Sequence, residues 1–330
     1  MKKNRVVFAG FEHPHSIGLY NDISANDSFE IVGAWEADEK IKAAAEEKGV
    51  VFTHSDYDAM LKSTDADTVA VGAHFSARGA LIIKALEAGK NIISDKPLCT
   101  SLNEAETIKK LAEEKNLTVC VFLSLRQNPD ILGAVTAIRN GVIGKVNNII
   151  FEGEHPLNYG RRADWYFEDG KQGGTINDLA VHGIDLVRLM TGSNVKTVVA
   201  AREWNFFADE VPNFKDSAQF MLTLESGAGV IADVSYSAPN AHGYEHPSYW
   251  HFRVFGSLGM VDFGENIDGI TLYPKEGEIT KISPLQPERN MLDEFLAAVS
   301  GEIDNREYTG NMLEASRQTL MIENSAEVTA

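Results

Sequence analysis

Asp178, His182 and Asp185 follow one another at spacings of four and three within the run Thr175 to Met190, and Lys96 closes the apolar run Asn91-Ile92-Ile93-Ser94. On a helix those spacings put the two aspartates and the histidine on one face. A histidine titrates near neutral pH, and a lysine at the end of a buried strand can reach a polar crevice, so together they form a proton-handling set. Each residue also has a plainer use. His182 could be a buried imidazole bonded to a carbonyl, Asp178 a helix-start acid, Lys96 a surface lysine, and Asp185 the partner of Arg188 three residues on.

The elements that must position this set alternate from the start of the chain. Strands at Arg5 to Ala9, Ile31 to Trp35, Val50 to Phe52, Thr68 to Gly72, Asn91 to Ser94 and Thr118 to Leu123 are separated by amphipathic helical runs. Nearly continuous apolar strands between helices describe a parallel sheet covered on both faces, and six strands suffice for a doubly wound, dinucleotide-type Rossmann domain. Ser101-x-x-Glu104 reads as a capping box. Beyond about Ser124 the pattern becomes strand-rich with short turns, as in an antiparallel sheet, flanked by helices at Asp130 to Arg139, Asn290 to Ser300 and Asn311 to about Glu327. The expected fold is α/β, with a Rossmann domain over residues 1–124. An α+β domain with a large, mostly antiparallel open sheet follows over 125–330.

The first strand runs into Gly10-Phe11-Glu12-His13-Pro14-His15-Ser16-Ile17-Gly18, where a dinucleotide fold places Gly-x-Gly-x-x-Gly. Only the first glycine is in place. Glu12 stands at the second, where its charge would meet a phosphate at about 5 Å with a repulsion of about 3 kcal/mol at an effective dielectric of about 20. The loop must therefore bend differently, or hold the cofactor weakly. His13 and His15 could donate to phosphate or cap the following helix. A metal pair ranks last, since the sequence sets no acid or cysteine beside them at ligand spacing, and no metal is expected. Glu36 ends the second strand, where a carboxylate accepts ribose hydroxyls and repels a 2′-phosphate, which favours NAD over NADP; Asp38 is the helix cap.

Thirty basic and 48 acidic residues leave a formal charge of −18, which excludes nucleic acid and anionic membranes as partners. Cys99 and Cys120 fall in or beside strand-like segments, as reduced buried thiols do, and neither a signal peptide nor a membrane span fits the N-terminal run. A cytoplasmic protein is expected. His242, His246 and His251, among Tyr244, Tyr249 and Trp250, line a pocket or an interface, or belong to an exposed loop.

Ala85 to Leu98, ending in Asp95-Lys96-Pro97-Leu98, and Gly173-Gly174-Thr175-Ile176-Asn177-Asp178-Leu179-Ala180-Val181-His182-Gly183-Ile184-Asp185 resemble two signatures of one family. It is the glucose-fructose oxidoreductase, inositol dehydrogenase and rhizopine-catabolism (Gfo/Idh/MocA) family. Arg126 with Pro129, Asp164-Trp165 and Asp216 are fainter echoes, and the likeness covers almost the whole chain. The resemblance implies NAD(P)-dependent redox chemistry at a secondary hydroxyl of a sugar, inositol or related polyol. It also implies assembly as a homodimer or homotetramer through the C-terminal sheet. It carries the catalytic roles onto Lys96, Asp178 and His182. His182 would take the hydroxyl proton, Asp178 orient it or hold a neighbouring hydroxyl, and Lys96 stabilise the alkoxide. Gly10, Phe11, Glu12, His13, Glu36, Ala73, His74, Asp95 and Lys96 would meet the cofactor. Lys96, Arg126, Trp165, Asp178 and His182 would meet the substrate. Ala73-His74-Phe75-Ser76-Ala77-Arg78 departs from the family pattern, in which proline takes position 74 and histidine position 78. A non-catalytic dinucleotide or metabolite sensor, and a glycosidase using NAD for transient oxidation, are the competing functions.

Overall fold

The apolar runs of the N-terminal part become a parallel sheet, because a strand buried on both faces has no solvent side to fill with polar residues. In the computed structural model, which describes residues 2–329, its five strands lie in the order β2-β1-β3-β4-β5. They are β1 (Asn4–Ala9), β2 (Phe29–Trp35), β3 (Thr68–Val71), β4 (Asn91–Ser94) and β5 (Val119–Val121). The helices α1 (His15–Ala25), α2 (Glu39–Glu46), α3 (Tyr57–Ser63), α4 (Phe75–Glu87) and α5 (Leu102–Lys115) connect them. The order reverses between β1 and β3, and the crevice beyond the strand ends at such a reversal is where an open α/β sheet binds its ligand.

The strand expected at Val50 to Phe52 does not form. Thr53 N–H donates to Ala34 O at 3.1 Å, while Thr53 Oγ1 accepts the Ala34 N–H at 3.2 Å, so a side chain replaces the ladder carbonyl and pairing stops. Nor does Ser101 close a capping box, for its side chain makes no bond to the α5 amides. Glu104 is turned onto Gly79 of α4, whose missing Cβ leaves room for its carboxyl. Asp38 and Asp56 do cap α2 and α3.

Two later segments fold with this sheet. The first unit comprises residues up to Phe122 together with Ala163–Gly173 and Met291–Glu314, and so draws on chain well beyond 124. The last segment holds α8 (Met291–Ser300) and most of the first part of α9 (Asn305–Glu323), where Thr309 Oγ1 accepts the Val119 N–H at 3.0 Å and satisfies a donor on the edge strand β5.

The second unit holds a nine-stranded sheet, ordered β13-β12-β11-β10-β6-β9-β8-β7-β14 among the described residues. Its strands are β6 (Val146–Glu152), β7 (Val195–Trp204), β8 (Ser217–Leu224), β9 (Gly229–Asp233), β10 (His251–Gly256), β11 (Gly259–Gly264), β12 (Ile270–Pro274), β13 (Thr280–Ile282) and β14 (Glu327–Thr329). All neighbours are antiparallel except β6 with β9 and β14 with β7. The period of two is visible in burial. Phe151, Phe220 and Ala232 face the core with α6 (Pro129–Arg139) and α7 (Val181–Thr191), whereas Met221 and Ile231 remain 46% and 51% exposed on the opposite face. Gly183 of α7 lets the Phe151 ring lie directly against the helix backbone.

Candidate active site

The helix expected from Thr175 to Met190 is interrupted. Ile176–Ala180 form a π turn, and only from Val181 does the regular α7 begin. Widened turns of this kind concentrate at functional sites, because they re-aim side chains that a regular helix would leave in register. Asp178 is fully buried within the π turn and accepts a hydrogen bond from the Tyr236 hydroxyl. His182, 6% exposed, sits edge-on to Trp250 with ring centroids 5.3 Å apart. Trp250 in turn packs on His155, itself ringed by Tyr236, Tyr244 and Tyr249. Trp250 holds a φ of 55° at 1% exposure, a left-handed conformation that is rare for a bulky side chain and costs on the order of 1–3 kcal/mol. An acid and an imidazole one turn apart, each held by an aromatic neighbour, can accept, orient and return a hydroxyl proton.

Asp185 does not pair with Arg188. It receives a two-pronged contact from Arg126, Nε to Oδ2 at 2.6 Å and Nη2 to Oδ1 at 2.5 Å, while Arg188 Nε donates to Asn194 at 3.0 Å. At 1% exposure a carboxylate needs a full complement of donors, and the guanidinium fork supplies two at once. Arg126 thereby braces α7. Trp165 lies against the nucleotide loop. It is 5% exposed and its indole N–H donates to Glu12 O at 3.1 Å, with the ring against His13, His74 and Phe75. A buried indole must find an acceptor for its N–H, and the nucleotide loop provides it.

Around that loop, Gly10 has a φ of +85° and lies so near the next turn that a Cβ would stand 2.6 Å from Ala73 N. The helix α1 opens with no side-chain cap and no acid in its first turn, which leaves its positive end for an anion. Glu12 is turned aside, its Oε2 accepting the His74 N–H at 2.8 Å. Glu36 accepts Phe11 N–H at 2.6 Å and Asp38 N–H at 2.9 Å, and a carboxylate with about four acceptor sites has capacity left for a ribose. Burial raises the pKa of both glutamates against these backbone bonds. The loop fits a dinucleotide once Glu12 is bound away by the β3–α4 turn.

Where the sequence sets no acid beside His13 and His15, the fold brings one from 80 residues away. Asp95 Oδ2 stands 2.6 Å from His13 Nδ1 and 3.2 Å from His15 Nδ1. The three donors lie within 4.8 Å of one another, close enough to hold a metal ion. Arg78, however, places its guanidinium 3.6 Å from the same oxygen, and a second cation there would be repelled. The set is better described as a hydrogen-bond cluster. Burial pushes the His13 imidazole down to about 4, against the pull of Asp95. Burial alone would raise Asp95, but His13, His15 and Arg78 outweigh it and hold the carboxyl well below its usual range. Arg78, fully buried, also donates to Ala73 O, Asp95 O and Pro97 O at 2.9, 3.1 and 2.9 Å. It thereby ties the start of α4 to the turn carrying Lys96, whose N–H bonds Asp95 Oδ1 at 2.8 Å.

Sequence comparison matches segments of both units to one family. Residues 9–123 match the oxidoreductase family with the NAD-binding Rossmann fold, and residues 131–262 match the GFO/IDH/MocA C-terminal domain. The chain belongs to the Gfo/Idh/MocA family. Its first unit is an NAD-binding Rossmann domain, and the sequence resemblance and α/β fold class hold. It is 26% identical to D-apiose dehydrogenase of Paraburkholderia graminis over 72% of this chain and 62% of that protein. To myo-inositol 2-dehydrogenase of Thermotoga maritima it is again 26% identical, over 71% of this chain and 67% of the relative. The chain spans about three-fifths of the length of the first of these. A crystal structure of an oxidoreductase from Erwinia carotovora atroseptica shares the fold with a TM-score of 0.86 at 20% identity, covering 99% of this chain and all (100%) of the other.

In this Gfo/Idh/MocA chain, then, His155 and Tyr236 are the neighbours that the sequence does not single out, whereas Trp250 belongs to the stretch read as a pocket, interface or loop and Arg78 to the segment that departs from the family pattern. His251 bonds Asp262 at 2.9 Å within the sheet, and His242 is exposed. No helix among the described residues is long and apolar enough to cross a membrane.

Proposed function

We propose that the protein is an NAD-dependent dehydrogenase acting on a secondary hydroxyl of a sugar, inositol or related polyol. The observation that carries this reading is the buried pair on the distorted helix, Asp178 held by Tyr236 and His182 one turn on against Trp250. His182 takes the hydroxyl proton in the oxidising direction and returns it in the reducing one. Asp178 keeps its carboxylate oriented through Tyr236 and fixes the substrate or the imidazole. Lys96, assigned from the signature it ends, stabilises the alkoxide that forms when the proton leaves. NAD, when bound, supplies the hydride acceptor at the carbon. Gly10, Phe11, His13 and the amino end of α1 would hold its pyrophosphate, Glu36 its ribose, and the turns at Ala73-His74 and Asp95-Lys96 its nicotinamide half. The sensor and glycosidase alternatives lack a comparable observation, and the relatives named dehydrogenases act on an apiose and an inositol.

The chain's partner, in this reading, is a second copy. Ala200, Met221, Ile231 and Ile150 form one cross-strand row on the open face of the large sheet, beside the row Arg202, Gln219, Asp233 and Glu152. An apolar stripe bordered by both signs of charge suits self-association in a homodimer or homotetramer.

Titrating the purified protein with NADH and NADPH by nicotinamide fluorescence, then assaying myo-inositol, scyllo-inositol and D-apiose with NAD, tests the proposal. Micromolar NADH binding with weaker NADPH binding, and turnover about 100-fold lower in His182→Gln, are expected. Absence of binding by either nucleotide would overturn it.

A further inference from the structure

Two carboxyl groups from distant parts of the chain meet at the start of the π turn, and neither has a part in the proton transfer proposed above. Glu203, on β7 and 2% exposed, accepts the Ile176 N–H at 2.6 Å. Glu323, the last residue of α9, accepts the Asn177 N–H at 3.0 Å. The two carboxyls are hydrogen-bonded to each other. The backbone is shaped to receive them, since Gly174 has a φ of +98° and any Cβ there would strike the Glu323 carboxyl.

The first N–H groups of a helix have no partner within it and are usually satisfied by a cap from the preceding residue. Here Thr175 makes no such cap, its hydroxyl donating to Lys215 O, and two successive donors, the Ile176 and Asn177 N–H groups, are satisfied by side chains from β7 and α9. Acceptors that arrive from outside can hold the backbone in a turn that its own propensities would not choose. Two buried carboxyls joined by a hydrogen bond keep one proton between them, because both cannot ionise at contact.

We infer that Glu203 and Glu323 are a positioning pair: sharing one proton, they seat the π turn and so set where Asp178 and His182 stand, and loss of that proton unseats the turn. The inference rests on the reading of Asp178 and His182 as the proton-transfer groups. Burial raises both carboxyls, Glu323 furthest because the charge of Glu203 stands beside it. Lys215, from the loop before β8, is the cation that acts on Glu203. Asp178, the other acid of the turn, is bonded to Tyr236. Activity therefore falls on the alkaline side when the shared proton leaves.

The test compares Glu323→Gln, Glu323→Ala and the unchanged protein, each with NAD and the polyol it turns over best among myo-inositol, scyllo-inositol and D-apiose. The glutamine amide donates permanently to Glu203 while its oxygen still accepts from Asn177. It is expected to keep kcat within about threefold at pH 7 and to remove the alkaline fall, whereas alanine lowers kcat at least tenfold with KM within twofold. Hydrogen exchange of the peptide covering 174–182, corrected for intrinsic rate, reads the same event without substrate. Protection drops between pH 7 and 9.5 in the unchanged protein and persists in Glu323→Gln. An unaltered alkaline limb in Glu323→Gln, or equal protection at both pH values in the unchanged protein, overturns the inference. Full turnover in His182→Gln and Asp178→Asn would instead remove the reading of the reactive set, and the exchange result would still decide the pair.

Discussion

Replacing His13 by asparagine should flatten the acid limb of the stability curve by an amount that follows from its burial. His13 Nδ1 stands 2.6 Å from Asp95 and 3.4 Å from the His15 N–H, and the shorter contact makes Nδ1 the proton carrier. The ring is 7% exposed, and its pKa falls from 6.5 to about 4. In the unfolded chain the imidazole takes a proton as pH drops through 6.5, whereas in the folded chain it resists until about 4. Its contribution is therefore fully present above the unfolded value and is lost as pH falls through that window. At 1.36 kcal/mol per unit the loss is about 3 kcal/mol, or roughly 6–12 °C in the melting of a unit of this size. The raised glutamates, Glu12 and Glu36 among them, act with the opposite sign, since burial makes their folded forms hold protons more tightly and stability grows on acidification. The difference between the two proteins isolates His13. Asparagine Nδ2 can stand where Nδ1 stood and donate to Asp95 without titrating. Melting followed by tryptophan fluorescence from pH 4 to 7.5 should show the unchanged protein losing about 3 kcal/mol more than His13→Asn on acidification. Parallel curves, or a His13 ring resonance that titrates near 6.5, would refute the reasoning.

Other consequences are simpler. His182→Gln and Asp178→Asn should each lower kcat about 100-fold with NADH affinity unchanged, measured by steady-state kinetics beside nicotinamide fluorescence. Gly10→Ala places a side chain at positive φ against Ala73 and should weaken NADH binding at least tenfold while leaving the second unit's melting intact. Arg126→Met leaves Asp185 buried without its fork and should cost about 3–5 kcal/mol, most of it recovered by adding Asp185→Leu; denaturant titration of the three variants checks this. Met221→Glu puts a charge into the exposed apolar row and should shift light-scattering mass toward the monomer.

Residues that work within one stretch of chain were open to inspection in the sequence, and those that work across it were not. Asp178 and His182 do fall in helical backbone, the one in the π turn and the other in α7, and Asp38 caps its helix because a cap needs only the next three amides. Asp185 shows where that reasoning stops. On a helix, Arg188 is within reach at a spacing of three, yet a carboxylate that the sheet and helices bury almost completely takes the partner with two aligned donors, and that partner is 59 residues away. Tyr236 reaches Asp178 across 58 positions, and Arg78 reaches the Asp95-Lys96-Pro97 turn from the preceding helix, α4. The glutamates extend the same lesson. Glu12 reads as a defect when set against a phosphate, but its charge is bound by an amide of the neighbouring β3–α4 turn, 62 residues on. Glu203 and Glu323 go unremarked in the sequence, since nothing local marks a carboxyl whose partner is the first turn of a different helix. The π turn has the same origin, because the residues from Ile176 to Ala180 carry no break of their own and the carboxyls that meet its first amides come from β7 and α9. A site built on a regular helix could be read from spacing alone. This one depends on the distortion, and so on the buried acids that hold it.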